Sequence, residues 1–197
     1  MRAGMDRMWL LPMLAAIGIG LTVATVIVVS PPRSDQQPQL SQVRRRYKLP
    51  AMSIDVPPIE RPVLVPAADA RIDDESIVIG IVVDGEPRAY LRDAFALGPL
   101  NHIVRDTIQS TSVAVTHCDR ILCTRVFMSR DPSKPWSIRV GGWRDDQTMD
   151  LIVNGSRFSQ KSPLIPLADI PFSEATWGQW RQKHPDTLIY LGAYRNT

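Results

Sequence analysis

Cysteine and histidine are the scarcest chemistry-bearing residues of this chain: 197 residues hold two cysteines and three histidines. Two cysteines cannot build a disulfide scaffold, and no doubled CxxC of the zinc-ribbon kind occurs. Three histidines, none in a recognised catalytic spacing, give a hydrolase little to work with. HExxH, GxSxG and a phosphate-cradling glycine loop are all missing, which removes the common metalloprotease, esterase and nucleotide-binding readings. Glycine is modest at 11 residues, without a collagen period, and no internal repeat is visible.

What remains suits a packed domain with an extension. The chain is 44% hydrophobic and 22% charged, a balance that excludes global disorder. The net charge of +3 is unevenly placed. Residues 1–50 carry seven basic and two acidic side chains, and residues 51–197 carry sixteen and eighteen. The basic character therefore belongs to the N-terminal arm. A nucleic-acid binder needs a dense basic face to neutralise phosphates, and the body has no basic run, so no nucleic-acid partner is expected.

Trp9–Val29 is a stretch of 21 residues without a charge. As a helix it would extend ~30 Å, the thickness of a bilayer's hydrocarbon core. Pro12 lies near its start, where a missing N–H costs least, and Trp9 stands where an interfacial aromatic would. A cleaved signal peptide has a shorter apolar region and a small-x-small cleavage site. Here Ser30 is followed by Pro31 and Pro32, so an uncleaved anchor fits better. A count of Lys and Arg near the helix ends puts the downstream side in the cytoplasm. The short basic N-terminus before a single helix is instead the form of a signal anchor. The second reading is preferred, because the cluster Arg44–Arg46 begins fifteen residues past Val29. The expectation is a single-pass cell-membrane protein, in contact with lipid through this helix, with its body outside the cytoplasm.

Residues 31–66 hold eight of the 17 prolines, which predicts an extended, semi-rigid spacer. Its last part, Leu49–Pro66, alternates apolar residues with prolines and suits an edge lying along the body. The predicted division is a flank over 1–8, an anchor over 9–29, a proline-rich linker over 30–66 and a globular domain over 67–197. The body is β-rich. SIVIGIVV (76–83) is followed by Asp84-Gly85 and a returning PRAYL, and Asp150–Val153 by Asn154-Gly155 and SRFSQ; both pairs are hairpin signals. SVAVTH (112–117) and TRVFM (124–128) make another pair, Trp136–Val140 is a strand ending at Gly141-Gly142, and Leu188–Leu191 is the last. Short helices are predicted at Arg92–Leu97 and at Ser173–Lys183, with Ser173 as cap. Few helices against six or seven strands define an α+β, β-rich domain, mainly antiparallel sheet or barrel-like, preceded by a single transmembrane helix. Asn154-Gly155-Ser156 is also a formal glycosylation sequon, which the turn explains without a glycan.

The segment VAVTHCDRILCTRVFM (113–128) is the most informative. Two alternating runs flank the loop Asp119–Leu122. A symmetric register sets Cys118 opposite Cys123, and opposed residues of antiparallel strands have Cα atoms ~4.5–5.5 Å apart, inside the ~4.4–6.8 Å range of disulfides. The period of two places Val113, Val115 and His117, with Val126 and Met128, on one face, and Cys118 on the other. That apolar face is the expected core, with His117 at its mouth. Three readings of the cysteines stay open. They are a structural disulfide or two buried thiols, a metal site with His102 or His117, and a redox-active pair. The last lacks the CxxC spacing and the helix N-terminus that lower a thiol pKa. Covalent haem attachment needs a His after the second Cys, and none follows Cys123.

The ordered set IVIGIVVDGEPRAY, LNHIVRD, VAVTHCDRILCTRVF and W-x2-W-x3-HPDT resembles the bacterial family called domain of unknown function 3179. The likeness runs from about Ile77 to Gly192. Gly80, Gly85, Glu86, Arg88, Ala89 and Tyr90 match its first motif, and His102, Ile103, Val104 and Asp106 its second, with Arg105 where Asn is usual. Cys118 and Cys123 match the third, with His117 in place of an aromatic, and Trp180, His184, Pro185 and Asp186 the last. The resemblance implies a bacterial, membrane-attached protein and no assigned activity. It directs attention to His102, Cys118 and Cys123 as a metal or thiol site, and to His117, Glu86, Arg88, Trp180 and His184 as ligand-binding candidates. A metal ion is the one cofactor these residue types suggest. Two functions follow as expectations: a membrane-tethered domain that binds a ligand or metal or serves a structural role, or a thiol–disulfide protein using Cys118 and Cys123.

Overall fold

The computed structural model describes residues 50–192 apart from residue 132. The anchor predicted over 9–29 and most of the predicted linker lie outside the described residues. No helix among those described is long and apolar enough to cross a membrane.

Among the described residues, fourteen short strands make three sheets. In chain order they are β1 (Met52–Val56), β2 (Ile59–Glu60), β3 (Leu64–Pro66), β4 (Ile77–Val83), β5 (Glu86–Leu91), β6 (Ile103–Ile108) and β7 (Thr111–Cys118). Then follow β8 (Cys123–Met128), β9 (Ile138–Trp143), β10 (Met149–Val153), β11 (Ser156–Ser159), β12 (Ala168–Asp169), β13 (Ser173–Thr176) and β14 (Leu188–Tyr190). The sheet orders are β1-β9-β10-β11, β12-β8-β7-β6-β2 and β13-β4-β5-β14-β3. Both predicted two-residue turns are present. Asp84 and Asn154 have φ of 51° and 49°, and the following glycines 83° and 82°, the left-handed pairs that match the twist of a tight hairpin. Pairing is mainly antiparallel; β2 with β6 and β14 with β5 are the parallel exceptions. The sheets stay open, so the architecture is layered and not a barrel.

The sheet containing β7 is central, because it is buried on both faces. Val104, Ile108, Val113, Val115 and Val126 pack with Ile79, Ile81 and Tyr90 of the β4–β5 sheet. Ile103, Ala114, Cys118 and Phe127 pack with Ile138, Val140, Met149, Leu151 and Val153 of the β9–β10 sheet. The expectation of one apolar face is therefore corrected. Val113–Cys118 is buried without interruption, since the small or apolar Ala114, Thr116 and Cys118 tolerate a second layer. Each fully buried Val or Ile contributes about 1.5–3 kcal/mol by leaving water, and β7 packs into the cores on both of its faces.

Among the described residues the first strand begins at Met52, and β1, β2 and β3 each hydrogen-bond to one sheet at its edge. Pro57, Pro58 and Pro62 fall between these strands, and an edge tolerates the absent N–H of Pro66. The helix predicted over Ser173–Lys183 is split. Ser173–Thr176 extends the exposed edge of β4 as β13, and helix α1 spans Trp177–Lys183. Its cap is Thr176, in a capping box with Gln179, and not Ser173. The other predicted helix is a 3-10 turn over Arg92–Ala96. Finally, β9 runs through Gly141-Gly142 to Trp143. Gly142 has φ 110°, and a Cβ there would lie 1.8 Å from the Met52 carbonyl oxygen, so only glycine lets β1 approach.

Candidate functional site

The antiparallel ladder pairs His117 with Thr124 and Cys118 with Cys123 at the last two rungs of β7 and β8. The predicted register is thus found, with Asp119–Leu122 as the turn and Leu122 at φ 52°. Both cysteines are free thiols. Cys118 is fully buried and Cys123 half-buried. The Cys118 thiol lies 3.8 Å from the Gln147 carbonyl oxygen, the geometry of a weak S–H donor. Burial pushes the Cys118 thiol up, against backbone N–H groups of Arg120 and Ile121 and the Trp143 indole, which favour the thiolate. Burial, then repulsion from Cys118, pushes Cys123 up as well. Neither thiol is activated as a nucleophile.

His102 closes the same end of the sheet. Its carbonyl accepts the His117 N–H at 3.0 Å, and its Nδ1 lies 3.0 Å from the His117 carbonyl oxygen. A carbonyl only accepts, so His102 Nδ1 carries the proton. Its ring meets Trp143 edge-on at 5.3 Å, and its Nε2 is 3.9 Å from Asp119 Oδ1. The Arg120 guanidinium covers the Trp143 ring at 4.3 Å. Burial lowers the His102 pKa, in spite of Asp119. His102, Trp143 and Cys118 therefore share one side of the central sheet.

His117 faces the other side, as the period of two predicts. Its Nδ1 is 2.8 Å from Thr124 Oγ1, and Thr124 donates to Glu174 Oε1 at 2.9 Å. The hydroxyl has one proton and the carboxylate only accepts, so His117 Nδ1 is the donor and its Nε2 keeps the lone pair. Arg92 holds the outer oxygen of Glu174 at 3.4 Å, and Phe95 meets the ring edge-on at 6.0 Å. Burial lowers the His117 pKa to about 4, outweighing Glu174. Both imidazoles are neutral near pH 7.

The expected metal set does not assemble. Among the described residues, no three His, Cys, Asp or Glu side chains converge to hold an ion. The pleat sends His117 and the thiols to opposite faces, and His102 turns its Nδ1 to a backbone carbonyl. The other expected ligand-binding residues are scattered too. Glu86 begins β5 opposite Val83, half-buried. Arg88 is buried beside Asp106, their closest atoms 3.4 Å apart. Trp180 covers Gly80 on the outer face of the β4–β5 sheet, donates to Thr187 Oγ1 at 3.2 Å and stacks on His184 at 4.2 Å. That pair is a helix-docking device. Sequence reasoning missed Thr124 and Glu174 as partners of His117. The alternation of TRVFM did carry a signal for Thr124, since it is the residue facing His117 across the loop.

The fold and site define a three-layered β domain with a cross-strand thiol pair and two buried neutral histidines at one end of its central sheet. A family profile described as "Protein of unknown function (DUF3179)" matches residues 54–195. The chain belongs to this family. No curated protein and no solved structure matches it.

Proposed function

We propose that this is a single-pass, membrane-anchored protein whose folded domain lies outside the cytoplasm and carries a slow dithiol–disulfide switch in Cys118 and Cys123. The observation that supports this most is the rung pairing Cys118 directly with Cys123, a spacing that a disulfide spans without backbone movement. Closure removes two protons and two electrons from the thiols. An incoming disulfide accepts them and becomes two thiols. The half-buried Cys123 attacks the incoming disulfide as thiolate and releases one thiol, and the enclosed Cys118 then displaces the second from the mixed disulfide. The raised thiol pKa values keep thiolate scarce at neutral pH, so exchange is slow and either state persists once set. This separates the pair from fast oxidoreductases, whose attacking thiol is acidic. The apolar segment Trp9–Val29 and the spacer behind it support the tether, and an oxidising compartment supplies the acceptor.

The test is thiol counting on the full-length protein in membranes, by alkylation before and after reduction, across glutathione buffers of graded potential. A bridge that forms and opens with a midpoint above about −300 mV is expected. Two thiols that persist in oxidised glutathione would exclude the switch, and so would a bridge that glutathione never opens. Labelling of intact cells with a membrane-impermeant reagent after reduction tests the orientation. Protection until lysis would place the domain in the cytoplasm and overturn that part.

A further inference from the structure

A sulfur that exchanges partners must carry negative charge at one point of the reaction, and Cys118 has to do so inside the fold. It is fully buried, in the apolar layer that includes Ile103, Ala114, Phe127 and Val140. An anion placed there without partners is costly. Partners are nevertheless built around it. Three N–H groups meet the Cys118 sulfur: the backbone N–H groups of Arg120 and Ile121, and the Trp143 indole. The turn Asp119–Leu122, closed by Leu122 at φ 52°, supplies the first two. Cys123 has no such set among the described residues, since Lys161 and Arg125 act on it through charge alone.

The indole comes from a different sheet and is held before any charge forms. Trp143 ends β9, paired with Met52 of β1 on one side and Met149 of β10 on the other. Arg120 lies over its ring at 4.3 Å and donates to Gln147 Oε1 at 3.3 Å, and His102 meets the ring edge-on at 5.3 Å. Trp143 is only 4% exposed, and its Nε1 is enclosed with no formed hydrogen bond among the described residues. A buried donor left idle is rare and costs free energy. A neutral thiol is a weak acceptor, whereas a hydrogen bond to an ionised acceptor is roughly twice as strong as a neutral one. The indole therefore gains most when Cys118 is charged. Fixed donors aimed at a developing charge stabilise it without reorganisation.

We infer that the Trp143 indole N–H, with the N–H groups of Arg120 and Ile121, holds Cys118 as a thiolate during exchange, so that Cys118 is the resolving sulfur on closure and the departing sulfur on opening. This role rests on the dithiol–disulfide switch proposed above. On closure, Cys118 gives up its proton and attacks the Cys123 sulfur of the mixed disulfide. The Cys118–Cys123 bond forms, the bond from Cys123 to the incoming thiol breaks, and the released thiolate takes the proton. On opening, an external thiolate bonds to the Cys123 sulfur, the Cys118–Cys123 bond breaks, and its electron pair stays on Cys118 among the three donors.

The test mixes the reduced full-length protein, in uncharged detergent, with oxidised glutathione and follows acid-quenched samples by mass spectrometry. A glutathione adduct on Cys123 and not on Cys118 is expected, followed by its loss as the bridge closes. Trp143→Phe should form the adduct as fast as the unaltered protein and lose it at least about tenfold more slowly, so that the adduct accumulates. Replacement of Trp143 by benzothienylalanine keeps the outline of the ring and removes the N–H, and it should give the same split between the two steps with the packing against Arg120 and His102 kept. Loss of the adduct by this isostere at the unaltered rate would overturn the role of Trp143 and leave the switch standing. An adduct on Cys118 would also overturn it. If the unaltered protein forms neither adduct nor bridge, the switch itself fails and this role with it.

Discussion

Acid should destabilise this domain through its buried histidines, and His117 allows the size to be worked out. In the unfolded chain an imidazole has a pKa of about 6.5. Burial among Phe95, Thr124 and Glu174 holds His117 at about 4 in the fold. Between these values the unfolded chain binds a proton that the folded one refuses. Unfolding free energy then rises with pH across this interval. The stability is present in full above pH 6.5, is lost as pH falls towards 4, and is level below that. The gap amounts to about 3 kcal/mol, with a maximum slope of about 1.4 kcal/mol per pH unit. His102, also lowered by burial, adds to the loss in the same direction. The assay is urea unfolding of the full-length protein in detergent, followed by fluorescence of the buried Trp143, Trp177 and Trp180, at intervals from pH 7.5 to 4. His117→Gln keeps a donor for Thr124 and removes the titration. Its stability should fall less steeply than that of the unaltered protein through the same interval. Identical slopes for the two would refute the reasoning, as would a His117 titration near 6.5 by NMR.

Other perturbations follow from single contacts. Tyr90→Phe takes the O–H from a buried carboxylate while Arg88 stays, and should cost about 1–3 kcal/mol in denaturant unfolding. Gly142→Ala drives a Cβ into the Met52 carbonyl and forces a left-handed alanine, so β1 should leave its edge and its amides exchange faster. Thr176→Ala removes the capping box of α1 and should lower stability by about 1 kcal/mol in the same unfolding assay. Reduction of an oxidised Cys118–Cys123 pair should speed amide exchange at the turn Asp119–Leu122, with little change in Val113–Val115, which both cores hold.

The parts of the fold that the sequence disclosed were those written in local chemistry. Asp84-Gly85 and Asn154-Gly155 specify left-handed turns and so fix their hairpins. The symmetric spacing about Asp119–Leu122 fixes the thiol rung. The alternation Val113, Val115, His117 correctly assigns faces. What was hidden depends on partners distant in sequence. Ala114 and Cys118 do not reveal that a second sheet covers them, because small residues suit a buried face as well as an edge. Ser173–Thr176 has no strong strand signature, and its state is set by the unpaired edge of β4. Glu174 reaches Thr124 from 50 residues away, a distance that no spacing rule spans. Arg88 and Tyr90 lie well before Asp106 in the chain, and only the tertiary fold brings the three together as one buried carboxylate beside a phenol and a guanidinium.

The last rungs of β7 and β8 also tie the two faces of the central sheet to each other. Cys118–Cys123 is the terminal rung, and His117–Thr124 is the one before it. The first opens toward Trp143, the second toward Glu174. A bond across the terminal rung restricts fraying of the strand ends, and fraying is the motion that would part His117 Nδ1 from Thr124 Oγ1. The bond to Glu174 runs through that same hydroxyl. His102 is joined to the rung by two backbone contacts to His117, so its ring orientation depends on the same strand end. Under the proposed switch, oxidation of the thiols and protonation of the histidines would act on one structural element. A proton forced onto His117 would turn both ring nitrogens into donors within the apolar layer, and a closed rung resists the opening that would hydrate it. Both imidazoles are already neutral with the two thiols free, so closure of the proposed bridge would add only resistance to strand-end opening, and His117 should titrate lower still in the oxidised protein than in the reduced one.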